Sequence, residues 1–177
     1  ASLSGVLLLT LGGPSEAQTA APTCQRQVTA NVVALDQVFF YNRLGAVNPG
    51  GMIYALRRDV VDVATGKTEA QGGVLSAGHV ALRDDKRPRP LVLRMNVRDC
   101  LTISFQNLLN PARVNDNQPI TRSAGLHVTG LQLVTSIADD GSNVGANASS
   151  LAAPGQRRTY KLFAERENTY LFYSPAS

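Results

Sequence analysis

From Leu91 onward the chain alternates between apolar and polar residues. Leu91, Leu93, Met95 and Val97 fall on one parity, and Arg94, Asn96 and Arg98 on the other. After Arg98-Asp99 the pattern resumes, with Leu101, Ile103 and Phe105 opposed to Thr102, Ser104 and Gln106. Side chains on a strand alternate with period 2, whereas a helix repeats every 3.6 residues. The pattern predicts two half-buried strand segments meeting at the Arg98-Asp99 corner. Cys100 falls on the polar parity, so a disulfide there is expected to staple the outer surface. No segment carries a 3.6-residue period over three turns, and there is no internal repeat.

The other readable segments agree. Val28–Tyr41 is rich in β-branched and aromatic residues and reads as a strand. Asn42-Arg-Leu-Gly45 and Asn48-Pro-Gly-Gly51 are turns, because proline presets φ and glycine accepts positive φ. Met52–Val63 predicts a second strand, closed by a turn at Ala64-Thr-Gly-Lys67. Gln71-Gly-Gly73 and Ser76-Ala-Gly78 punctuate a loop leading to His79, and Asn107–Thr121, with Pro111 and Pro119, is loop. Strands are expected at His127–Val134, Arg158–Ala164 and Thr169–Tyr173, the last two joined tightly by Glu165-Arg-Glu-Asn168. Seven or so short strands separated by turns define an all-β fold, a sandwich of Greek-key type.

A length of 177 residues suits one domain with an extension. The net charge is +4, with the basic residues scattered. In the densest run, Arg83-Asp-Asp-Lys-Arg-Pro-Arg-Pro90, two acids interrupt the bases, which reads as a solvated loop. Nucleic-acid binding is not expected, since no basic stripe is interleaved with aromatic platforms.

Leu3–Leu11 is a short apolar run, too short for the roughly 20 residues that span a bilayer, so no membrane association is expected. Gly12-Gly-Pro14 breaks it, and small residues follow at Ser15-Glu-Ala17. This pattern matches the apolar and cleavage regions of a secretory signal peptide lacking its basic start. The expected division is residues 1–21 as a truncated signal and 22–177 as one domain, incomplete at its C-terminus, in a periplasmic or extracellular protein. The alternative is a buried N-terminal strand. Cys24 and Cys100 suit an oxidising compartment. A bridge between them would contribute about 4 kcal/mol in the chain-entropy model; the alternative is two free thiols.

Phosphate-loop, nucleophile-elbow and His-Glu-x-x-His motifs are absent, and no Cys-x-x-Cys spacing suggests a zinc site. Asp139-Asp140 lacks the acid spacing of a calcium loop and reads as an Asp-Gly turn. Asn147-Ala-Ser149 matches the glycosylation acceptor pattern. His79 has no motif around it. His127 is more informative. A strand over His127–Leu133 sets His127, Thr129, Leu131 and Leu133 on one face. A histidine on such a face is either a hydrogen-bonded core residue or a metal ligand.

Taken in order, several pieces resemble a known family. These are Ala34-Leu-Asp-Gln37, Tyr41-Asn-Arg-Leu-Gly45, Val97-Arg-Asp-Cys-Leu101, Phe105-Gln-Asn-Leu108, Leu126-His-Val-Thr-Gly130, Asp140-Gly-Ser142, Pro154-Gly-Gln156, Thr159-Tyr160 and Thr169-Tyr170. Together they resemble the first cupredoxin domain of a bacterial multicopper oxidase, of the branch related to manganese oxidases. The resemblance covers roughly residues 28–174. It implies a cupredoxin-like Greek-key β-sandwich. It also implies a parent oxidase that passes electrons from a metal ion or a phenolic substrate to O₂, giving water. In that family His-x-His pairs from the first and last domains hold a trinuclear copper cluster, and the last domain adds a Cys/His copper for electron entry.

By this resemblance His127 stands at the first copper-ligand position. Thr129 stands where a second histidine is usual, and Tyr173-Ser174-Pro175 replaces the second pair. Threonine is a poor copper ligand. The resemblance therefore implies copper in the parent protein, with His127 the one metal ligand here and no catalytic residue on this segment alone. The remaining partners would be other cupredoxin domains of the same chain. The chain stops before the sandwich's usual final strand, which favours a fragment over a domain that has lost its metal. The competing reading is a copper-free cupredoxin-like scaffold or interaction module.

Overall fold

A computed structural model describes residues 21–116, 118, 120–142 and 148–176. The Leu3–Leu11 run, its expected cleavage region and Asn147 of the acceptor pattern lie outside these residues. The described fold is mostly β, with no α-helix. Its strands are β1 (Arg26–Asp36), β2 (Phe39–Phe40), β3 (Val47–Asn48), β4 (Met52–Leu56), β5 (Val60–Asp62), β6 (Val80–Leu82), β7 (Asp99–Asn107), β8 (His127–Val128), β9 (Gln132–Leu133), β10 (Arg157–Phe163) and β11 (Phe172–Tyr173). One five-stranded sheet has the order β4-β1-β7-β10-β9, and three two-stranded sheets pair β11 with β8, β2 with β3, and β5 with β6.

β1 and β7 run parallel at the centre of the large sheet, and the other neighbours are antiparallel. A central strand covered on both faces needs a continuous apolar run. The run Val32-Val33-Ala34-Leu35 supplies it, and all four residues are buried. Val32 and Ala34 join Ile103, Phe105, Leu126 and Tyr160 on one side. Val33 and Leu35 join Ala55, Val60, Leu75 and Leu108 on the other. The parity expected for Leu101, Ile103 and Phe105 is observed, because all three are buried while Thr102 and Ser104 are half-buried.

Several predicted elements are revised. The strand expected at Val28–Tyr41 ends at Asp36, and Phe39–Phe40 pairs separately with Val47–Asn48. The one expected at Met52–Val63 is interrupted by a 3-10 turn at Arg57–Asp59. Leu91–Val97 is not a strand. Its Leu91, Leu93 and Met95 are half-buried and Val92, Arg94 and Asn96 exposed, as the alternation predicts, but Val97 is exposed too. No strand among the described residues pairs with this run.

The break falls at Arg98, whose φ of 68° is the one positive value at a non-glycine among the described residues. Asp99 holds the corner. Its carboxylate accepts from the Asn96 N–H at 2.8 Å and from Arg26 Nη2 at 2.6 Å. These bonds keep its carboxyl below the usual carboxylate range, the Arg26 hydrogen bond contributing most and the Asn96 N–H next.

Cys24 and Cys100 form a disulfide with Cα atoms 5.4 Å apart. It ties the segment preceding β1 to the start of β7. Contrary to the outer-surface expectation, Cys100 is 2 % exposed, set between Gln27 of β1 and Phe163 of β10 and bonded to Cys24. The loop after β7 is fastened to the sheet by Asn107, which is fully buried. Its side-chain amide donates to the carbonyls of Arg122 and Ala152, both at 2.8 Å, and its oxygen accepts from the Leu109 N–H. The Arg122 guanidinium, itself buried, pairs with Asp36 at the end of β1.

Candidate functional site

The strand expected over His127–Val134 is bent. After β8 the chain turns at Thr129-Gly130, and Gly130 carries a φ of 94° that only glycine adopts freely. Residues 127, 129, 131 and 133 therefore share no common face. Val128 is buried in the core, and His127 points the other way with a quarter of its side chain exposed.

His127 nonetheless has a defined setting. Its Nδ1 lies 2.6 Å from Oδ2 of Asp140, whose side chain is buried. An ionised carboxylate only accepts, which assigns the proton to Nδ1. Ser142 Oγ donates to the same Oδ2 at 2.6 Å. Asp140 Oδ1 is buried without a hydrogen-bond partner among the described residues. The serine thus serves the carboxylate and not the imidazole, so the three residues do not form a Ser-His-Asp relay.

Gly141 explains why Asp140 can reach His127. The Gly141 N–H donates to the Leu126 carbonyl at 2.8 Å. A Cβ at position 141 would lie 2.3 Å from backbone atoms of Leu126. Only glycine allows the Asp140 loop to rest this closely on the residue preceding His127. The 3-10 turn Ile137–Asp139 sets the loop's entry. Burial raises the Asp139 carboxyl, but hydrogen bonds from the Thr135 hydroxyl and from the Thr135 and Ser136 N–H groups outweigh it and hold the group below its ordinary range.

On the other side, β11 pairs with β8 so that Tyr173 stands opposite His127. Their rings meet edge to face, with centroids 5.4 Å apart. Ser174 Oγ accepts from the Gly125 N–H at 3.2 Å, and the Tyr54 hydroxyl donates to the Gly125 carbonyl. Burial pushes the Tyr54 phenol up, partly opposed by its hydrogen bond to Ser174. Beneath the loop, the Tyr160 hydroxyl donates to the Ser150 carbonyl at 2.8 Å, and burial pushes this phenol up to about 12.

Thr129 is exposed, and its N–H donates to the Leu171 carbonyl. His79 is also exposed, beside the β5–β6 pair, where Val63 donates to its carbonyl. No group of three or more His, Cys, Asp or Glu side chains among the described residues could hold a metal ion. The site offers one imidazole nitrogen, Nε2, which no described residue hydrogen-bonds. Sequence reasoning reached His127 and the Asp140-Gly-Ser142 motif separately. It did not join Asp140 to the imidazole, since they lie thirteen positions apart, across two turns and the short strand β9. No protein-family model matches this chain, and no curated protein matches it closely enough to count as a relative.

Proposed function

We propose that this chain is a cupredoxin-like Greek-key domain of an extracytoplasmic multicopper oxidase, and that it lends one imidazole, His127, to a copper site completed by other cupredoxin domains of the same protein. The observation carrying this reading is the buried Asp140 carboxylate on His127 Nδ1. Metal-binding histidines commonly donate their second ring N–H to a carboxylate. This fixes the ring and leaves the other nitrogen as the electron-pair donor.

One imidazole fits as a contributed ligand, and imidazole suits copper. The donor set does not complete a site, since Thr129 and Tyr173 occupy the places where the resemblance expects histidines. Bound copper would supply one-electron chemistry between a metal-ion or phenolic reductant and O₂. The chain's own residues orient His127 through Asp140, steady Asp140 through Ser142 and cover one ring edge with Tyr173.

Two further observations support the reading. The Cys24–Cys100 disulfide suits a periplasmic or extracellular setting. The β2–β3 hairpin exposes Phe40, Tyr41 and Leu44, and apolar exposure of this kind marks contact surfaces. A copper-free scaffold is the competing function.

The test is Cu(I) titration of the purified chain, followed by the ring NMR signals of its two histidines, for wild type, His127→Ala and His79→Ala, since one imidazole is not expected to keep copper through purification. The proposal expects weak, saturable Cu(I) binding in wild type and His79→Ala, and its loss in His127→Ala. No binding in wild type, or binding unchanged in His127→Ala, would leave the domain as scaffold.

A further inference from the structure

The sharpest unexplained feature outside the His127 site is the run from Lys86 to Arg98. It carries five bases, Lys86, Arg87, Arg89, Arg94 and Arg98, and no acid. Lys86 bridges Asp59 at 3.4 Å. The four arginines form no ion pair among the described residues. Leu91, Leu93 and Met95 lie half-buried along a groove of about 1220 Å³ that Val128, Tyr170 and Phe172 also line. From Arg87 to Met95 no backbone group makes a backbone–backbone hydrogen bond among the described residues.

A half-buried run with strand alternation and free backbone donors and acceptors can accept a paired strand, and this one belongs to none of the sheets. Pro88 and Pro90 share the parity of Val92 and Arg94. Backbone groups at alternate residues point to opposite edges of a strand, so these prolines blunt one edge and leave that of Leu91, Leu93 and Met95 open. A second copy pairing there would set arginines against arginines, which is unfavourable.

We propose that Leu91–Met95 receives an extended acidic peptide segment by strand addition. The backbone of that segment would pair with the backbone of Leu91, Leu93 and Met95, its alternate apolar side chains would enter the groove, and its acidic residues, on the opposite face, would meet Arg94. This inference is independent of the His127 reading.

The test uses the full chain and a labelled peptide of alternating valine and glutamate, about nine residues long, followed by fluorescence anisotropy at low salt. Saturable binding is expected, with slowed amide exchange at Leu91, Leu93 and Met95. N-methylation of alternate peptide amides should weaken binding at least about tenfold, and so should Arg94→Glu, an exposed position. That variant should gain affinity for a peptide of alternating valine and lysine. The proposal is overturned if the N-methylated peptide binds equally well, or if oligoglutamate or anionic phospholipid vesicles compete equally, since charge alone would then account for binding. It is also overturned if the peptide does not bind or if the chain dimerises through this edge.

Discussion

Asn107 shows how much one buried side chain can hold in this protein. Its amide satisfies two carbonyls from separate loops, and its oxygen satisfies the Leu109 N–H. A buried polar group left without its partner costs about 1–3 kcal/mol. Asn107→Ala orphans the Arg122 carbonyl and the Leu109 N–H, while the Ala152 carbonyl keeps the Ala124 N–H, so a loss of about 2 kcal/mol or more is expected in urea unfolding, against at most about 1 kcal/mol for Thr129→Ala, which is exposed. Asn107 and Asp140 were both legible as polar residues near loops. Their partners were not, because each bond closes across chain that only the tertiary fold brings together. The same holds for His127. Its identity was readable, but the strand expected to carry it turned at Gly130, and the core-facing position went to Val128.

At the scale of elements, the parallel pair β1–β7 organises the molecule, and the disulfide fastens its entry. The sequence separation of 76 residues closes a long loop in the unfolded chain. Replacing Cys24 and Cys100 together with serine is expected to lower stability by about 2–5 kcal/mol, read as a fall in the urea midpoint with the same effect under reducing agent on the wild type. Phe105 is fully buried on β7, and Phe105→Ala should cost about 3–5 kcal/mol.

β1 and β7 were the most legible elements, since their apolar runs are long and strand-like. Leu91–Val97 was misread as a strand for a physical reason. Alternation reports which side chains face the core, and that was correct for Leu91, Leu93 and Met95. It carries no information on whether a neighbouring strand pairs with the backbone.

For the whole molecule, acid sensitivity follows from the paired carboxylates. Asp62 is lowered by hydrogen bonds from the Thr65 hydroxyl and the Ala64 N–H, and Asp99 by Arg26 and the Asn96 N–H. Asp139 is lowered as well, its hydrogen bonds outweighing burial. A lowered folded-state value means the unfolded chain takes up protons first as pH falls. Stability from these groups is therefore complete above the ordinary aspartate value of about 3.9 and is lost as pH falls through the lowered folded values. Urea midpoints measured between about pH 6 and pH 2 should fall on that acid limb. Asp99→Asn should start from a lower midpoint and lose less on acidification, so the two curves converge at low pH.

The mostly-β architecture was readable from turn chemistry and the lack of helical periodicity. The distribution of short strands among four sheets was not, because short apolar runs do not name their partners.

On the proposed reading, Asp140 holds the Nδ1–H tautomer of His127 and leaves Nε2 free for a metal. Nitrogen-15 NMR of the metal-free chain at about pH 8, above the ordinary histidine value of about 6.5, tests this directly. The expected result is a protonated Nδ1 and an unprotonated Nε2 for His127, with Nε2 shifting when Cu(I) is added. In Asp140→Ala the tautomer preference should be lost. A proton on Nε2 in the wild type, or copper shifting His79 while His127 stays unchanged, would contradict the account.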